Sequence, residues 1–221
     1  MTLPPGQRAV QGFPRFGTHL HHPPPEVPAE PVLEVGGALS EGFTLTVAEV
    51  AKLPRRVVEA DFHCVAGWTA TGLRWEGTGF AEFYRTRVVP LVDSGVEISH
   101  VIFEGLDGFQ AVAVLEDALG EDVLIADRLD GEPLNGDHGA PLRLVSPSQY
   151  GFMNTKHLCR IEFRTSAPPA PDRFSPISGH QRARVWHEER HRYLPGRVVR
   201  PVYHWLIEPI RKLSARGSVA N

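Results

Sequence analysis

The sequence predicts an α+β fold made mainly of antiparallel β-strands. Its 221 residues include 21 glycines and 20 prolines, more than ordinary usage and enough to interrupt any long helical bundle. From Val32 onward, short apolar stretches alternate with turn signals, the pattern of consecutive strands. Only the stretch from Thr78 to Val88 carries clear helical spacing within the body. At this length one continuous core outranks two.

Residues 1–31 contain 8 of the 20 prolines, including Pro23, Pro24 and Pro25, and read as an extended arm, because proline removes a backbone donor from helix or central strand. The body is expected over 32–165. Val32 to Val35 and Phe43 to Val47 are its first strands, and Val57 to Cys64 alternates so that Val58, Ala60, Phe62 and Cys64 share one face and Glu59, Asp61 and His63 the other. Thr78 as N-cap, with Phe80, Phe83, Tyr84 and Val88 on one face and Pro90 as the stop, predicts a helix of about three turns. Strands follow at Ile98 to Glu104, Phe109 to Leu115, Val123 to Ala126, Leu142 to Val145 and Leu158 to Phe163, with Asn135-Gly136 as a hairpin turn. Residues 166–221 read as a proline-rich linker and a basic helical tail cut into short pieces by Pro195, Pro201 and Pro209.

Hydrophobic residues at 42% and charged residues at 22% exclude wholesale disorder. No apolar run reaches the ~18 residues that predict a transmembrane helix, and the first residues lack the basic and apolar regions of a signal peptide, so a soluble, cytoplasmic protein is expected. The charge of −3 is uneven: residues 1–171 carry 13 basic and 22 acidic side chains, residues 172–221 carry 10 and 4. A basic tail can bind nucleic acid or anionic lipid, but here an acidic body offers a partner, so docking of the tail on the body is expected and no nucleic acid is invoked. Cys64 and Cys159 are too few for a disulfide framework and lack zinc-ribbon spacing.

Three motifs could carry chemistry. His187-Glu188-Glu189-Arg190-His191 fits HExxH, in which two histidines one turn apart hold zinc beside a general base, and Glu208 could complete such a site. The surrounding arginines favour a solvated, charged helix instead. His19-Leu20-His21-His22 places imidazoles in the open arm. Asp137-His138-Gly139 with Arg143, followed by Tyr150 through His157, puts a histidine, an arginine and a lysine on two loops around a short strand. That set suits an anion, because phosphate binding uses a planar guanidinium, a point charge and glycine-turn N–H groups.

The segments Ala60-Asp61-Phe62-His63-Cys64-Val65-Ala66-Gly67-Trp68, Trp75-Glu76-Gly77 and Asp137 through Lys156 together resemble the sulfite-oxidase-type molybdopterin oxidoreductases, the family that includes the methionine-sulfoxide-reducing enzymes of bacterial envelopes. The resemblance covers roughly Pro14 to Phe163. It implies the sulfite-oxidase-type molybdopterin-binding fold and a mononuclear molybdenum held by the dithiolene of one pyranopterin and by the Cys64 thiolate, a soft ligand suited to that metal. By the same resemblance His138, Arg143, Thr155 and Lys156 hold the pterin and its phosphate. His19 and His21 fall on a cofactor-binding loop, and Asp107, in Leu106-Asp107-Gly108-Phe109, lies at the catalytic edge. Cys159 reads as a core residue.

The sequence departs from the sulfite oxidases after Cys64, where Val65-Ala66-Gly67-Trp68-Thr69-Ala70-Thr71 contains no arginine. A dianion buried without a counter-charge is costly, so a small S-oxide or N-oxide is expected as substrate in place of sulfite. There is no CxxCH haem motif, which calls for a separate electron-transfer partner, and the tail is too short for an immunoglobulin-like dimerisation domain. The alternatives are a pterin-binding or partner-docking protein without turnover and a zinc hydrolase built on His187 and His191.

Overall fold

The computed structural model describes residues 2–15, 23–169 and 179–217, with side chains as far as Leu213. In chain order the elements are β1 (Arg8–Val10), β2 (Val32–Gly37), β3 (Phe43–Thr46), α1 (Val47–Val50), β4 (Arg55–His63), β5 (Trp68–Gly79), α2 (Phe80–Phe83), β6 (His100–Gly105), β7 (Gln110–Val114), α3 (Leu115–Ala118), β8 (Leu124–Leu129), β9 (Glu132–Pro133), β10 (Arg143–Val145), β11 (Leu158–Arg164) and α4 (Gly196–Gly217). One sheet runs β1-β5-β8-β10, with β4 on β5 and β9 on β8; the other runs β3-β2-β11-β6-β7. Every pairing is antiparallel except β1 with β5 and β2 with β11, which agrees with the expected α+β class.

The period of two along each strand places the main core between the sheets and a second apolar layer on the far side of the first sheet. On β8, Ile125 faces the main core, while Leu124 and Ala126 join Cys64, Trp68, Ala70 and Trp75 in the second layer. On β10, Leu144 faces the main core and Val145 the second layer, so Arg143, two residues before Val145, lies on the second-layer face. The main core is anchored by Phe80, which lies 5.2 Å from the Phe103 ring and 6.4 Å from that of Phe163. All three are fully buried, and truncating one to alanine costs roughly 3–5 kcal/mol.

Five local expectations are corrected. The longest strand, β5, lies between Cys64 and the predicted helix, where no strand is expected, and carries glycines at 72, 77 and 79. Gly77 is needed inside the strand because a Cβ there would lie 2.2 Å from the Ile125 carbonyl oxygen. β5 therefore runs through Thr78, whose hydroxyl donates to the Val50 carbonyl (3.2 Å), and Gly79 precedes the helix as its cap. That helix makes one α-turn, then a wider turn over Tyr84–Val88, and closes with a 3-10 turn, Val89–Leu91, that contains Pro90.

The hairpin between β8 and β9 turns at Asp130-Gly131, both with positive φ (53° and 86°), whereas Asn135 caps the short 3-10 turn Gly136–His138. A bulge between Ala60 and Phe62 breaks the alternation of β4, so His63 is buried beside Cys64 instead of facing out with Glu59. In the tail, α4 continues through Pro201 and Pro209. The residues whose carbonyls those prolines leave free, Arg197 and Trp205, are exposed, so water can take the missing bonds.

The tail does pack on the body. Arg182 bonds to Asp117, and the buried Val199 and Tyr203 are the inward residues of α4. No described helix is long and apolar enough to cross a membrane.

Candidate functional site

Cys64 follows β4 directly and opens the tight turn to β5. Its amide donates to the Trp68 carbonyl (2.9 Å), and the Gly67 amide returns to the Cys64 carbonyl (2.9 Å) with Gly67 at φ +110°. The arm holds the turn from outside: Gln7 Nε2 donates to the Cys64 carbonyl (3.0 Å), and its Oε1 accepts from the Thr69 hydroxyl (3.0 Å). With that proton committed, Thr69 accepts from His63 Nδ1 (2.9 Å), which fixes the Nδ1–H tautomer of a histidine held neutral by burial. Cys64 is 5% exposed. Burial pushes its pKa up to about 12 against the opposing pull of the Ala66 N–H and the Arg190 and Lys156 cations.

The second cluster lies around β10. Arg143 is 0% exposed and bonded to no carboxylate. Its Nη1 donates to the His138 carbonyl (2.9 Å) and its Nη2 to that of Asn154 (3.4 Å), leaving Nε buried without a partner. The guanidinium carbon lies 4.9 Å from the Trp75 ring centroid, 5.5 Å from Phe62 and 5.8 Å from Phe13, an aromatic cage whose third wall comes from the arm. Burial brings its pKa down to about 9.

Lys156 Nζ donates to the Asp137 carbonyl (2.7 Å), and its pKa falls to about 7 through burial, then through Arg143 and Arg15. His138 stacks on Phe13 at 4.5 Å between ring centroids. Its Nδ1 is buried without a partner, and burial with the neighbouring Arg143 and Lys156 takes its pKa down to about 4. Asp137, 3.6 Å from Arg15, is the acid within this turn. The cluster is short of anionic charge, and an anion would take the free Arg143 Nε–H and relieve the desolvated cations.

The remaining expected residues divide. Asp107 is exposed in the β6–β7 turn, where its Oδ1 accepts from the Phe109 amide (3.1 Å). The same turn meets the cluster through the Leu106 amide, which donates to the His157 carbonyl (2.9 Å). Thr155 is buried, and its hydroxyl donates to the Phe103 carbonyl (3.5 Å). His19 and His21 lie outside the described residues. Cys159 is only half-buried and lines a cavity of about 350 Å³ with Glu34, Glu104 and Arg160, so it is not the core residue expected. Its thiol donates to the Glu104 carbonyl (3.5 Å), and burial with Glu104 and Glu34 raises its pKa.

The HExxH segment is not a helix. A short 3-10 turn, Val185–His187, ends at Glu188 with φ 55°, so the two histidines do not share a helical face. Glu188 pairs with Arg190 and Arg200, Glu189 with Arg184, and no group of three metal-ligating side chains exists among the described residues. The segment therefore lacks the paired-histidine helical geometry of an HExxH zinc site. Arg190, expected in solvent, is fully buried.

The family model described as "Oxidoreductase molybdopterin binding domain" matches residues 20–171. The chain belongs to the molybdopterin-binding oxidoreductases. It is 30% identical over 189 residues to "Uncharacterized oxidoreductase YuiH" of Bacillus subtilis (strain 168), covering 85% of this chain and 91% of that one. It is 29% identical to the "Putative protein-methionine-sulfoxide reductase subunit YedZ1" of Azospira oryzae, over 62% of this chain and 50% of the relative. With the mitochondrial sulfite oxidase of Drosophila melanogaster it shares 32% identity over 66% of this chain and 29% of the relative, so it spans half or less of those two proteins.

Among solved structures, the sulfane dehydrogenase SoxCD of Paracoccus pantotrophus superposes with a TM-score of 0.57 at 20% identity, covering 71% of this chain and 44% of that one; the likeness shows a shared fold. This molybdopterin oxidoreductase therefore has the sulfite-oxidase-type fold expected. The donor set fits the family's cofactor: a buried guanidinium with an unpaired Nε beside Lys156 for an anionic group, and one enclosed thiol for a soft metal.

Proposed function

We propose that Cys64 ligates molybdenum, that His138, Arg143 and Lys156 hold the pterin and its phosphate, and that the enzyme transfers an oxygen atom from a small neutral S-oxide or N-oxide. The observation that carries this reading is Arg143, a fully buried guanidinium with an unpartnered Nε and no bonded carboxylate. Bound there, the cofactor supplies a two-electron centre able to give or take an oxygen atom. As a metal ligand Cys64 would serve as the thiolate: burial holds its thiol up at about 12, and the Ala66 N–H with the Arg190 and Lys156 charges favours the ionised form. In this reading Asp107 stands at the cofactor edge, Thr155 backs the Lys156 loop, and His19 and His21, outside the described residues, contribute imidazoles to cofactor binding.

The substrate preference rests on the missing anion pocket. No arginine follows Cys64 through Thr71. Arg190, which the fold brings to Val65, has its donors committed to the Val65 carbonyl, the Pro5 carbonyl and Glu188. Among the described residues a dianionic substrate would find no free guanidinium beside Cys64. Reducing a sulfoxide to the sulfide and water consumes two electrons and two protons, and a separate electron-transfer protein would deliver the electrons.

The test is expression with an intact cofactor pathway, assay of molybdenum and pterin per chain, and comparison of sulfoxide and N-oxide reduction with sulfite oxidation using artificial electron carriers. Near-stoichiometric cofactor and preference for an oxide are expected. Faster turnover of sulfite would overturn the substrate assignment, and absence of cofactor would overturn the site.

A further inference from the structure

We infer that the tail beyond the family-matched region completes the catalytic unit, with Arg190 as the positioning residue that holds the Cys64 turn. Arg190 is 0% exposed. One end of its guanidinium bonds to the Val65 carbonyl, next to Cys64, and the other to the Pro5 carbonyl in the arm (3.0 Å). Its guanidinium carbon lies 5.0 Å from the Tyr150 ring centroid, and Glu188 balances its charge at 3.4 Å while also bonding Arg200 (3.0 Å). Arg190 thus ties three separate stretches of chain to one point beside the cysteine. A lysine could not reproduce this, because bridging two divergent carbonyls requires the planar fork.

Two glycines show how closely the tail fits. A Cβ on Gly67, the last residue of the cysteine turn, would lie 2.3 Å from His204 Nε2, and a Cβ on Gly6 would lie 2.6 Å from Arg200 Nε and 2.9 Å from Arg190 Nη2. His204 Nε2 also bonds the Gly6 carbonyl (3.1 Å), and the neighbouring Tyr203 is buried. The cysteine turn is therefore closed by the arm on one side and by tail residues on the other. The family model matches 20–171, so both closures come from outside it. A metal-ligating thiolate must be held within a few tenths of an ångström, and outer groups that orient ligands tune the metal they carry.

The inference rests on Cys64 as the metal ligand, and the experiment separates the two claims. Arg190→Lys and Arg190→Met are prepared as apo and as cofactor-loaded protein, beside wild type and Cys64→Ser. Apo protein is followed by amide hydrogen exchange in a peptide spanning residues 60–70, and loaded protein by molybdenum and pterin content and by its electron paramagnetic resonance signal. In Arg190→Lys the Cys64–Trp68 amides should exchange at least tenfold faster, and the paramagnetic signal should shift while pterin is retained. Wild-type exchange together with a wild-type signal in Arg190→Lys overturns the positioning role; if Arg190→Met does not fold by circular dichroism, Arg190→Lys decides alone. A Cys64→Ser protein with an unchanged paramagnetic signal overturns the ligand assignment instead, and the exchange measurement still judges Arg190.

Discussion

Lys156 and Arg143 donate to consecutive carbonyls: Lys156 Nζ to Asp137 and Arg143 Nη1 to His138. Two cations from different segments thus converge on one short turn, and neither has a bonded carboxylate. Gly139, at φ +102°, makes the approach possible, since a Cβ there would lie 3.0 Å from the Lys156 Cβ. Gathering desolvated positive charge costs stability in the empty chain, and a bound anion would offset that cost.

Arg143→Ala is expected to weaken cofactor retention by about ten- to a hundredfold, because a charge-assisted contact is worth roughly 1.5–3 kcal/mol. Arg143→Lys should recover part of it, restoring charge without the planar fork that lies over the Trp75 ring. Molybdenum and released pterin per chain are the measurement, with circular dichroism as the check on folding. Full cofactor in Arg143→Ala would remove the anchoring role.

Cys64→Ser should abolish molybdenum-dependent turnover, since a hydroxyl is a harder and far less acidic donor than a thiol. Cys159→Ser should leave turnover at the wild-type level, because the Cys159 thiol lines a cavity beside Glu34 and Glu104 on the second sheet. Steady-state assays of both variants with one oxide substrate check the pair, and equal losses in the two would contradict the assignment.

How far the site is legible in the sequence follows from the range of the contacts. Arg143, Lys156 and His138 stand within 19 positions of each other among glycine turns, so residue type and spacing already describe an anion cradle. Strand β5 is hidden because its glycines serve close strand approach, and a one-letter pattern does not distinguish that use from a turn. Arg190 is hidden for a different reason: the acceptors that bury it are Pro5 and Val65, 185 and 125 positions away, while its immediate neighbours are charged. Phe13 and Gln7 are equally silent, since nothing local marks an arm residue that reaches across to Arg143 or Cys64.

His187→Ala should change neither metal content nor stability by more than about 0.5 kcal/mol, as is usual for an exposed side chain. His191→Ala should cost more, about 1 kcal/mol, because its Nδ1 accepts from the Tyr193 and Leu194 amides (both 3.1 Å) much as an N-cap does. Denaturant titration and zinc analysis check both. Stoichiometric zinc lost in the double variant would restore the hydrolase reading.

The last prediction concerns Lys156 and pH. Its pKa is depressed from the ordinary lysine value of 10.5 to about 7 in the folded chain, chiefly by burial and then by Arg143. Between those two values the unfolded chain binds a proton that the folded chain does not, so the stability of the apoprotein rises with pH across that window. Below about pH 7 both states are protonated and the full penalty of the buried charge is present. Lys156→Met removes the group from both states, so the variant should show a flatter stability profile from pH 7 to 9 and should be more stable relative to wild type at pH 6 than at pH 9. Urea titrations of both apoproteins across pH 6–9 measure the difference. Parallel profiles for the two proteins would show that Lys156 stays charged and solvated in the fold, which would remove it from the buried cationic cluster.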